Sequence, residues 1–301
     1  MRYFGVKKRS PDHGAVRDAE AAVVATAEAS LEQLQLDPDI REENAAAGLG
    51  LVLDQDALDD LPAAEPVSQL TTGVRLNVVG RTHQPSEATA RLLEEVGGVA
   101  TLERFTNLFY EKAFADPHID SFIRDHNDPH GARFAKWIAE KLGGDASGRP
   151  WSRDRMERPA EVVSLPGAGE VQVHDRSSAH YAAWHSPKRA PEKVGDHFQL
   201  DDCRIWMRLH FWAARESGAF DHPGFQEYYV KFIGHFVSVY ERTAPAFARE
   251  SARWSEDAEN IRRYLEAGRE MENVKGLSYH QAISALPIHE RPSMRNQWPY
   301  V

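Results

Sequence analysis

Large apolar residues recur at three- and four-residue spacing through the middle of this chain, far more densely than at its start. After the Gly97-Gly98 break, Leu102, Phe105, Phe109 and Ala113 fall on one face, the period of an amphipathic helix. Asp116-Pro117 stops it, because the residue before a proline is pushed out of helical backbone. Asp128-Pro129 then offers an N-cap and a first-turn proline, and His130, Phe134, Trp137 and Ile138 share a face as far as Gly143-Gly144. A short helical turn is predicted from Ser178 to His185. A longer helix runs from Asp201-Asp202 to about Glu216, burying Ile205, Trp206, Leu209 and Trp212. The last strong helix starts at His222-Pro223, with Phe225, Tyr229, Phe232, Phe236 and Tyr240 in one stripe. From about Ser251 the pattern predicts helix to about Glu272 and loop beyond, where Pro287, Pro292 and Pro299 forbid a continuous helix.

Two stretches depart from this period. Glu161 to Leu165 and Glu170 to Val173 flank Pro166-Gly167-Ala168-Gly169, which predicts a small hairpin. Residues 1–87 are rich in Ala, Asp and Glu and poor in aromatics. They predict an extension, partly disordered or lying on the main body, with a weak helix from Asp18 to Leu36 and a short strand through Val74, Leu76 and Val78. The expected organisation is an N-terminal extension (1–87), a helical domain (88–250) and a C-terminal helix and tail (251–301).

Composition narrows the partners. The 301 residues carry a formal net charge of -10. That balance argues against duplex DNA or an anionic membrane, which need concentrated Lys and Arg. Cys203 is the single cysteine, so an internal disulfide and thiolate-rich metal sites are excluded, and it reads as a buried small hydrophobe. No apolar run is long enough to cross a bilayer and no secretory signal is seen, so a soluble, cytoplasmic protein is expected.

Fourteen histidines are available for chemistry. None has Glu three residues before it, which removes the usual di-iron carboxylate pattern. His185 stands out: it ends a short helical segment, precedes Ser186-Pro187, and lies between two aromatic-rich helices. An imidazole so placed can present a neutral nitrogen to a water-poor cavity. His180 and His197 compete for that role.

Taken in order, Gly97-Gly98, Phe109-Tyr110, Asp116-Pro117, Phe122, Lys141-Leu142-Gly143-Gly144, His185-Ser186-Pro187 and Trp206 resemble the truncated haemoglobin family, most closely its second and third groups. The resemblance spans about residues 88 to 245. It implies an all-α, globin-like fold, a truncated 2-over-2 helical sandwich, here with the hairpin inserted between Gly144 and His185 and a second insertion at Lys188 to Asp196. It implies haem b as cofactor and His185 as the proximal iron ligand. Tyr110, His130 and Trp206 would be donors toward a bound diatomic gas, with Phe134 one turn beyond His130 and Phe122 near the haem edge. Reversible binding of O2, NO or CO is the function implied. Nitric oxide, nitrite or peroxide chemistry would need an external electron donor. A globin-type sensor, or a haem-free interaction protein working through its terminal extensions, is the alternative. Oligomeric state is left open by the sequence.

Overall fold

The structure, a computed structural model, describes residues 73–144 and 148–300. It opens with a minimal hairpin, β1 (Val78–Val79) against β2 (Thr82–His83). Ser86 then caps α1 (Glu87–Glu95) through a reciprocal bond pair with Thr89. The Gly97-Gly98 break is real: Gly97 adopts φ 100°, a left-handed conformation that starts α2 (Gly98–Ala115). Asp116 ends α2 and caps the short α3 (Pro117–Asp120), its carboxylate accepting from the His118 and Ile119 amides, both at 2.9 Å.

Next comes α4 (His130–Leu142), which stops at Gly143 and Gly144, both at positive φ. Asp128 does not cap it by a side-chain bond, as the sequence suggested; its carboxylate pairs instead with Arg133 and His130. After α5 (Pro150–Glu157) the predicted hairpin forms as β3 (Glu161–Leu165) antiparallel to β4 (Gly169–Val173), with Val163 opposite Val171. Helix α6 (Arg176–Trp184) follows and ends on His185.

The second half contributes α7 (Leu200–Glu216) and α8 (Pro223–Val237), the latter capped by the His222 imidazole. The single helix expected from 251 to 272 is two: α9 (Ala248–Trp254) and α10 (Ala258–Glu266), parted where Asp257 caps the second. Then α11 (Tyr279–Ser284) closes the list of α-helices among the described residues. The result is mostly helical, with two two-stranded sheets among the described residues.

Leu102, Phe105 and Phe109 of α2 are buried where it packs on α4 and α7. The α2–α4 crossing is close. Thr106 donates its hydroxyl to the Gly131 carbonyl at 2.7 Å, and a Cβ on Gly131 would lie 2.0 Å from the Asn107 side-chain oxygen. Only glycine lets the two backbones meet there.

The boundaries expected at 87 and 250 do not divide the packing, because Leu76, Tyr264, Met271, Val274, Ala282 and Leu286 join the same buried core. Residues 67–301 form one compact unit. Of the strand expected through Val74, Leu76 and Val78, only Val78–Val79 is paired. The helix expected from Asp18 to Leu36 lies outside the described residues.

Candidate functional site

Four of the six expected site residues are drawn into one aromatic group on α2, α4 and α7. Tyr110 stacks on His130, with ring centres 5.0 Å apart, and meets Phe109 edge-on at 5.0 Å. Phe109 reaches Trp206 at 5.3 Å and Phe134 at 6.4 Å. All four expected residues keep some accessible surface although they pack on the core. Burial, helped by the Asp128 carboxylate, pushes the Tyr110 phenol above its ordinary range, so its O–H remains a donor at any physiological pH.

His130 is more committed than its position suggested. Its Nε2 lies 3.0 Å from the Asp125 carbonyl and its Nδ1 3.1 Å from the Asp128 carboxylate. Both partners can only accept, so this placement leaves neither ring nitrogen facing a ligand. Burial lowers its pKa, while Asp128 opposes that shift.

At the centre of this group is a residue the sequence reading passed over. His210 is fully buried, stacked on Trp206 at 4.3 Å, and 5.4 Å from Phe134. Its Nε2 meets the Tyr229 hydroxyl at 2.9 Å, and its Nδ1 has no hydrogen-bond partner among the described residues. Burial alone holds it well below its ordinary pKa, so the ring is neutral. The signal was available: residues 206 and 210 are one helical turn apart and share a face.

Phe122 lies in a second group. It meets Phe198 at 5.1 Å under the Arg189 guanidinium, 4.4 Å from its ring centre. Phe198 and Tyr240 hold His180 edge-on at 5.5 and 4.8 Å. Burial, with Arg176 nearby, depresses the His180 pKa to about 3. That ring is spent on packing, although its Nδ1 has no partner among the described residues. His197 is exposed and stacks on Trp184 at 4.0 Å.

His185 differs from both rivals. It is half-buried beside the exposed Tyr181 ring, 4.4 Å away, and among the described residues it touches no ring of the first group. Its Nδ1 lies 2.9 Å from the Tyr181 carbonyl, one turn back along α6. A carbonyl can only accept, so Nδ1 carries the proton and the neutral ring keeps its Nε2 lone pair free. Gly195, at φ +93°, lies next to that nitrogen, where an added Cβ would stand in contact at 3.4 Å from Nε2. The loop that brings Gly195 there is tethered by Lys188 to Asp120 at 3.0 Å and by Arg189 to the Trp184 and Asp196 carbonyls at 3.0 and 2.6 Å.

Among the described residues, no three His, Cys, Asp or Glu side chains converge to hold a metal ion between them. With its tautomer fixed, His185 could serve as a single-histidine ligand. Cys203 is buried, and its thiol is pushed up by that burial, so it offers no reactive thiolate. No helix among the described residues is long and apolar enough to cross a membrane. No protein-family model, curated protein or solved structure matches this chain.

Proposed function

We propose that this chain binds haem b through His185 and uses it to bind a diatomic gas reversibly, in a truncated-globin arrangement of α2, α4, α6, α7 and α8. The observation that carries the reading is the Nδ1 bond from His185 to the Tyr181 carbonyl. It fixes the tautomer, holds the ring plane and raises the basicity of the remaining nitrogen, which is what a ligand to iron would require. His180 has no such preset bond and is clasped by Phe198 and Tyr240.

When bound, the haem would supply the iron that takes the gas; the residues supply the surroundings. Tyr110 stays protonated and can donate to a ligand that gains negative charge. Phe109, Phe134 and Trp206 make that side apolar. His210 positions Trp206 by stacking, and Tyr229 in turn holds His210. Oxidation of nitric oxide, or nitrite or peroxide turnover, would draw electrons from an external donor.

The test is an absorption spectrum of the full chain, loaded with haem, in ferric, ferrous and carbon-monoxide-bound forms. The wild type should show a Soret band that shifts with carbon monoxide. His185→Ala should lose it and His180→Ala should keep it. A wild type without the band overturns the reading, as does loss confined to His180→Ala.

A further inference from the structure

Beyond the aromatic groups, a cleft of about 230 Å3 opens where the end of α4, the start of α6, α5 and α8 meet. Trp137, Trp151 and Phe236 contribute aromatic rings to its lining, which is otherwise polar, with the cations Lys141, Arg155 and Arg176 and one carboxylate, Asp175. Arg176 lies over the Trp137 ring at 5.5 Å. Among the described residues, no carboxylate stands within ion-pair distance of these three cations. Asp175 lines the cleft and feels the charge of Arg155, but its carboxylate, like the others nearby, is hydrogen-bonded to other groups. Asp175 caps α6 by accepting from the Ser178 amide at 2.8 Å and its hydroxyl at 2.7 Å. Glu140 accepts from the Ser152 amide at 2.7 Å and hydroxyl at 2.6 Å. Asp154 holds Lys136 at 2.6 Å.

Three like charges gathered around one cleft repel one another. Burial and the charge of Arg176 accordingly depress the Lys141 ammonium. An anion entering the cleft relieves that repulsion, and Arg or Lys against a carboxylate gives the stronger, charge-assisted bonds. The walls select its shape, since a planar body stacks on indole and phenyl faces.

We propose that this cleft is a binding site for a small planar organic carboxylate. The site does not depend on the haem reading, although Arg176 also lies over the Tyr240 ring of the second group at 5.9 Å. Trp137 contacts Phe134 at 5.8 Å, so occupancy would be felt at the first group.

The probe is benzoate, with inorganic phosphate as the comparison anion, titrated into the full chain. Binding is followed by calorimetry and by the indole N–H resonances, those of Trp137 and Trp151 being assigned with Trp→Phe variants. Benzoate should bind saturably, shift both indole signals, weaken with added salt, and bind more tightly than phosphate. Lys141→Gln and Arg155→Gln should each weaken it about tenfold; Arg155 lies on α5 at the rim, so its variant reports even if Lys141→Gln fails to fold. Absence of saturable benzoate binding overturns the proposal. So does binding that leaves both indole signals unmoved or is unchanged in the folded variants, and phosphate binding as tightly overturns the choice of a planar body.

Discussion

His83 shows how one imidazole ties a strand to the helical core. Its Nε2 sits 2.6 Å from the Tyr228 hydroxyl, and its ring meets Phe232 edge-on at 5.2 Å. Burial, then the neighbouring His235 and Lys141, lower its pKa to about 4. The groups that face it are thus cationic or neutral, and none of those named stabilises the protonated ring. The unfolded chain takes up this proton near the ordinary value of about 6.5, the folded chain only near 4. The stabilisation is therefore complete above pH 6.5 and is lost as pH falls toward 4, on the order of 3 kcal/mol in all. Denaturant midpoints between pH 7 and pH 5 should fall less steeply for His83→Gln than for the wild type. Equal slopes would show that His83 does not carry the effect; His180 and His210, also held neutral by burial, leave a residual slope in both.

Among the elements, α6 matters most, because it ends on the candidate axial ligand. Asp175 is its N-cap and exchanges bonds with Ser178 in a reciprocal box. Asp175→Ala should cost about 1 kcal/mol. With haem loaded, it should also broaden or weaken the Soret band, since a frayed α6 no longer holds Tyr181 and His185 in register. A thermal melt and a haem titration check this, and an unchanged haem affinity with a lowered Tm would mean the cap serves stability alone. This helix also marks what could be read from the sequence. Its end at His185, the Gly143-Gly144 stop and the hairpin turning at Pro166-Gly167-Ala168-Gly169 were legible, since each is dictated by local backbone preference. The commitment of both His130 nitrogens was not, because Asp125 and Asp128 reach it only through the fold of the preceding loop. His210 was overlooked because a histidine among Leu209, Phe211 and Trp212 looks like a polar interruption rather than the middle of a packed stripe.

For the whole molecule, the last fifty residues are part of the body and not an appendage. Tyr264 donates its hydroxyl to the buried Asp116 carboxylate at 2.8 Å, pinning α10 to the α2–α3 corner. Arg208 of α7 pairs with Glu250 of α9, and Glu290 pairs with Arg253. Met271, Val274, Ala282 and Leu286 fill the same core as α7 and α8. A chain cut to residues 88–250 should consequently fail to give a soluble, cooperative fold. A circular dichroism melt of that piece tests this, and a cooperative transition would contradict it. The division at 250 looked natural in sequence because the aromatic stripe ends there; the buried residues beyond it are scattered over short helices and the turns between them.

The Trp298 ring rests on Gly234, where an added Cβ would come within 2.8 Å of it, and Tyr300 reaches His235 at 3.1 Å. Both contacts close over α8 from the far end of the chain. During synthesis, then, α8 leaves the ribosome with this face bare and waits for some sixty further residues before it is covered. Until then the face of α8 around Gly234 and His235 lacks the two rings that cover it in the finished fold.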